Sequence, residues 1–152
     1  MKLAEKGRYA PPPRLPVHAQ AVSRALAAWP EVHARTHWRL GDETEVDGAD
    51  FYVGERELGH IHLNGDAHIA VPAAVRNALI AAGLADPFEW SRAFVVYEIR
   101  TRADVEHAQA LFRIAFDRLQ GVSSSELVAR CAALAGSRAA ARPLPPPDWR
   151  AP

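Results

Sequence analysis

Between Val17 and Trp29 the apolar residues Val22, Ala25, Leu26 and Trp29 recur at helical spacing, and Pro30 ends the run. From Val32 to Leu40 the period falls to two. Val32, Ala34, Thr36, Trp38 and Leu40 alternate with His33, Arg35, His37 and Arg39, which predicts a half-buried strand with a polar outer face. Gly41 to Gly48 reads as a loop, its crowd of Asp42, Glu43, Glu45 and Asp47 a solvated turn without the spacing of a calcium loop. Short strands are then expected near Ala49–Val53, Glu57–Leu63 and Ala67–Val71. Gly54-Glu55-Arg56 and Asn64-Gly65 punctuate them, so they form a meander. Pro72 opens a helix that runs to about Ala82 and stops at Gly83. Arg92–Ile99 is almost continuously apolar, which predicts a strand in the middle of the sheet, covered on both faces; Trp90, in the loop before it, is expected to plug the core edge. Thr101 and Asp104 suit the capping of a long helix over about Arg102–Gln120. After the serine run Ser123-Ser124-Ser125, a last helix turns Leu127, Cys131, Leu134 and Ala135 inward, with Ser124 or Ser125 as its cap.

The resulting order, α-β-β-β-β-α-β-α-α, predicts an α+β fold: a mainly antiparallel sheet of about five strands with helices packed on it. A proline-rich arm over residues 1–16 and a proline-rich tail over 142–152, which Trp149 is expected to anchor, flank a single domain at 17–141. The 152 residues suffice for one core even though 30 of them are Ala. Lys plus Arg equal Asp plus Glu at 18 each, which disfavours nucleic acid as a partner. No run is long and apolar enough for a membrane span, and the lone Cys131 fits a buried thiol in a reducing cytoplasm. No glycine-rich phosphate loop opens a helix.

Candidate chemistry concentrates in Glu57-Leu58-Gly59-His60-Ile61-His62-Leu63-Asn64-Gly65-Asp66-Ala67-His68. A two-residue Asn64-Gly65 turn would place a histidine among apolar residues. A three-residue Leu63-Asn64-Gly65 loop with Gly65 left-handed instead sets His60 opposite His68, His62 opposite Asp66 and Ile61 opposite Ala67. The second register leaves no polar side chain in the interior, so His60, His62, Asp66 and His68 share one face, with facing Cβ atoms about 5 Å apart. Three imidazoles and a carboxylate in reach of one another suit a divalent metal such as zinc. Alternatively His33, Arg35, His37 and Arg39 extend the same face into an anion-binding surface, with Arg76 on the following helix as a further anion contact. An ordinary solvent-facing sheet that uses histidine is the third reading.

The chain also resembles the small uncharacterised proteins grouped as a luciferase domain. The likeness rests on Glu57-Leu58-Gly59-His60-Ile61-His62, Gly65, Ile69, Pro72, Arg76, Leu79 and Gly83, the strand Phe94–Ile99, then Asp104, Val105 and Phe116-Asp117-Arg118. It covers about Ala28 to Leu119. Members often carry a histidine after the Gly83-like position and a Gly-Trp pair opening the last strand; this chain has Pro87-Phe88 and Ser91-Arg92-Ala93 there. The resemblance implies no settled catalytic residues, and nothing here is similar to the long flavin-dependent luciferases, so light emission is not expected. The primary expectation is a binding module for a small anionic ligand or a protein partner, as a monomer or homodimer. A small metal-dependent enzyme built on the histidines is the alternative.

Overall fold

The computed structural model describes residues 2–141, so the tail at 142–152, with Trp149, lies outside the described residues. After a short 3-10 turn at Leu3–Glu5 the elements are α1 (Val17–Ala27), β1 (Val32–Arg39), β2 (Asp42–Val53), β3 (Arg56–His62), β4 (Asp66–Ala70), α2 (Ala73–Ala81), β5 (Asp86–Pro87), β6 (Phe94–Glu98), α3 (Arg102–Leu119) and α4 (Ser124–Ala140). The class is α+β, with six antiparallel strands in the order β1-β2-β3-β4-β6-β5.

One sheet face is apolar because alternate strand residues are: Ala49, Phe51, Ile61, Ala67, Ile69 and Val95 are fully buried on it. The helices cover this face. Helix α3 lies on β3 and β4 and packs against α1, while α2 packs against α4. Phe112 meets Phe51 edge-on at 6.0 Å, and Leu111, Ala115 and Leu127 close the core. The start of α3 is fixed by its sequence: Thr101 and Asp104 form a reciprocal capping box, and Asp104 also accepts from the Tyr97 hydroxyl at 2.7 Å. That convergence of donors holds the Asp104 carboxyl down at about 2 against the opposing effect of burial. In α4 it is Ser123 that caps, accepting from the Glu126 amide at 3.3 Å. Cys131 is buried, and burial pushes its thiol pKa up.

Several sequence expectations are displaced. The charged stretch from Asp42 is not a loop; it pairs with the end of β1 as the first part of β2. The apolar strand β6 is not central, because its outer neighbour β5 has only two residues. Trp90 is 81% exposed and plugs nothing. Trp38 leaves the core as well: a bulge between His37 and Trp38 rotates it so that its indole donates to Arg8 O at 2.9 Å.

The other sheet face is polar, and residues 6–11 lie across part of it. The Thr36 amide donates to Ala10 O at 2.8 Å, and Arg35 donates to the carbonyls of Gly7 and Arg8 at 2.6 and 2.7 Å. Proline lacks an N–H and favours extended chain, which suits this stretch to lying along a sheet margin. Under it Arg35, Asp50 and Tyr52 become buried although they point away from the core.

Candidate functional site

The hairpin of β3 and β4 has the three-residue loop. Gly65 adopts a positive φ of 92°, its amide donates to His62 O at 2.9 Å, and the pairs are Gly59 with Ile69, His60 with His68 and Ile61 with Ala67. The imidazoles of residues 60, 62 and 68 therefore share the polar face. His60 and His68 are 4.9 Å apart between ring centres, and His62 and His68 4.5 Å.

Strand β1 contributes a fourth ring. His37, Gly48 and His62 lie side by side across β1, β2 and β3. Gly48 allows that approach, since a Cβ there would fall 2.1 Å from Ile61 O. The His37 ring then stacks on His60 at 4.2 Å and meets His62 edge-on at 5.3 Å.

Three carboxylates hold three of these rings. His37 Nδ1 lies 2.9 Å from Asp50 Oδ1, His60 Nδ1 lies 2.8 Å from Glu57 Oε1, and His62 Nδ1 lies 3.2 Å from Asp47 Oδ2. An ionised carboxylate only accepts, so the Nδ1–H of His37 and of His60 donates and Nε2 keeps its lone pair, while Asp47 approaches His62 Nδ1 at ion-pair distance. Asp50 reaches the face by regular alternation, and two bulges bring Asp47 and Glu57 there. Opposite His37 and Trp38 the partners are Gly48 and Val46, which makes Asp47 the extra residue and turns it toward His62. In β3, Phe51 pairs Gly59 and Tyr52 pairs Glu57, so Leu58 is extra, drops into the core at 0% exposure, and leaves Glu57 on the same face as His60.

Lys6 completes the electrostatics. Its Nζ stands 3.4 Å from Glu57 Oε1 and 3.7 Å from Asp50 Oδ1, between two carboxylates that are almost fully buried. Burial pushes the Glu57 carboxyl up, but the His60 hydrogen bond and the Lys6 ammonium outweigh it and leave the group below its usual value. The imidazoles are lowered too, here by burial itself. Burial, ahead of every other cause, lowers His60, His62 and His68, and the neighbouring rings push His68 further, to about 4. They are neutral at pH 7, the state in which imidazole ligates metal.

The residues expected from the sequence separate into two sets. His37, His60, His62 and His68 come together. Asp66 does not join them: it pairs with Arg100 and accepts from the Asn64 side chain at 3.1 Å. Arg35 is committed to the arm's carbonyls, His33 is exposed near the start of β1, and Arg76 sits on α2 donating to Asn77 at 3.4 Å. The sequence does not single out Asp50 or Glu57 as site residues, and it places Asp47 in a solvated turn. Asp50 carried a signal, a lone charge between Ala49 and Phe51 in an otherwise apolar strand.

One ring nitrogen from each of His37, His60 and His62 lies within 4.8 Å of the others. Nitrogens bound to one tetrahedral ion at about 2.0–2.1 Å sit roughly 3.3 Å apart, so the rings must draw together, and the stacked His37 and His60, 8° from parallel, must reorient for their in-plane lone pairs to converge. Asp50, Glu57 and His60 form a second such group, across which the Lys6 ammonium already lies. Among the described residues no helix is long and apolar enough to cross a membrane. No curated protein matches the chain, and no solved structure does. Residues 55–115, from the β2–β3 turn into α3, match the model of the Luciferase domain family, and this match supports the family resemblance carried by the His60-Ile61-His62 segment.

Proposed function

We propose that the polar face binds one divalent transition-metal ion through the Nε2 atoms of His37, His60 and His62, with His68 beside the remaining coordination position. The observation that carries this reading is the set of three carboxylates, each on the Nδ1 of a different clustered imidazole. A carboxylate behind a ligating histidine fixes its tautomer and raises its basicity, and metal sites use that arrangement repeatedly. Three protein ligands with an open position are typical of a reactive site rather than a structural one. Soft thiolates are missing from the donor set, and imidazole suits zinc, copper, iron or nickel. Bound there, the ion would polarise a substrate oxygen or acidify a water. The same carboxylates and the neutral rings weigh against the alternative of an anion held directly by the histidines, and the best-placed cations, Arg35 and Lys6, already have partners.

The test is metal uptake by chelator-stripped, untagged protein. One equivalent of zinc or cobalt per chain is expected, with a tetrahedral cobalt absorption band and a raised melting temperature. A His37→Ala, His62→Ala double variant should lose all three signatures while keeping its circular dichroism. Absence of metal uptake together with an unchanged melting temperature on adding zinc refutes the proposal.

A further inference from the structure

A cavity of about 510 Å³ opens where the starts of β3 and β6 meet the end of β4, bounded on one side by residues 2–5 and on the other by the last turn of α3. Its size falls in the range of small-molecule sites. Two of its lining side chains, Glu57 and Phe94, are also partners of the histidine cluster: Glu57 bonds His60 Nδ1 at 2.8 Å, and the Phe94 ring lies 5.6 Å from the His60 ring. The cavity thus shares a wall with the site.

Its lining carries the cations Lys2, Arg56 and Arg118 and the acids Glu5, Glu55 and Glu57. Arg56 and Arg118 both line it, and neither side chain makes an ion pair or hydrogen bond among the described residues. Of the acids nearby, Glu57 already holds His60 and Lys6, Glu5 accepts from the Lys2 amide at 3.2 Å, and Glu55 pairs with neither guanidinium. Partial burial, and then the repulsion of Arg56, lowers the Arg118 pKa, as expected of cations that face one another without an intervening anion. The lining also has apolar side chains, among them Ala93, Phe94 and Leu119, and Phe94 is the one that reaches the His60 ring. We propose that this cavity binds an organic carboxylate, its head group held by Arg56 and Arg118 and its hydrocarbon part against Phe94 and Leu119. A guanidinium pair matches the planar, two-oxygen geometry of a carboxylate. This assignment rests on the metal reading only for the chemistry that such a ligand would meet at its far end.

Decanoate is a suitable probe, with decanol as its uncharged counterpart, titrated calorimetrically into the full chain with and without added zinc. Saturable binding of decanoate is expected, weakened about tenfold or more in both Arg56→Gln and Arg118→Gln, with decanol at least as much weaker. Partial recovery in Arg118→Lys supports a charge role. Equal binding of decanoate and decanol, or unchanged binding in both arginine variants, overturns the proposal. Metal content measured on the same samples separates the two ideas. One equivalent of zinc with no decanoate binding rejects the cavity assignment alone, whereas arginine-dependent decanoate binding without zinc uptake rejects the metal centre alone.

Discussion

His68 offers a direct measurement of how the clustered rings resist protonation. Its pKa falls from an ordinary 6.5 to about 4 because burial and three neighbouring imidazoles disfavour the charged form. The unfolded chain binds a proton near 6.5, so between the two values it holds more protons than the folded protein, and stability drops as the pH falls. Full presence of this contribution lies above pH 6.5, and its loss is complete once the pH passes below about 4. Between pH 7 and pH 5 the linkage amounts to about 2 kcal/mol for a fully enclosed ring, and to about 1 kcal/mol once the water reaching this half-buried one is allowed for. The window ends above the range where most carboxylates titrate, which keeps their contribution small. Urea unfolding at pH 7, 6 and 5, with a chelator present to remove metal, gives the parent slope. His68→Gln should be within about 1 kcal/mol of the parent at pH 7 and lose about 1 kcal/mol less on going to pH 5. If parent and variant lose the same free energy over that interval, His68 is not held neutral by its surroundings and the electrostatic account of the cluster is wrong.

Asp50→Asn should destabilise the fold by about 3 kcal/mol, since it leaves Lys6 and His37 facing a neutral group in a buried position, and should weaken zinc binding about 10- to 100-fold in a chelator competition. Gly48→Ala forces a Cβ toward Ile61 O, so a loss of about 1–3 kcal/mol is expected in urea unfolding, along with a lower zinc affinity because His37 and His62 are pushed apart. Asp104→Ala removes half of the α3 capping box and the acceptor of the Tyr97 hydroxyl; about 2 kcal/mol should be lost at pH 7 while zinc binding stays at the parent value.

What could be read ahead of the structure follows the range of the forces involved. The register of His60 and His68 was legible because one glycine in one loop decides it, within nine residues of chain. The α3 boundaries were legible for a similar reason, a capping box next to a strongly periodic stripe. His37 was placed on the right face by simple alternation. Asp47 and Glu57 were not, because each depends on a break in alternation, whereas Asp50 follows the alternation as His37 does. Period-two reasoning leaves Leu58 on the face of His60 and sends Asp47 to the opposite side from Gly48, and only the cross-strand pairing shows the extra residue in each strand. Arg35 was misjudged as available for a ligand because its partners, the carbonyls of Gly7 and Arg8, come from a stretch whose prolines indicate extended chain but not where that chain lies.

The two interruptions of strand pairing also make the cluster a matter of chain length as much as of residue identity. Deleting Asp47 or Leu58 would restore unbroken pairing and could leave a well-folded sheet, yet it would strip the acidic support from one imidazole or reverse the side on which its neighbours emerge. Every histidine would survive such an event. Related chains are therefore best compared by counting residues between these landmarks, for a relative that keeps all four rings but has lost either insertion would carry the letters of the site without its geometry.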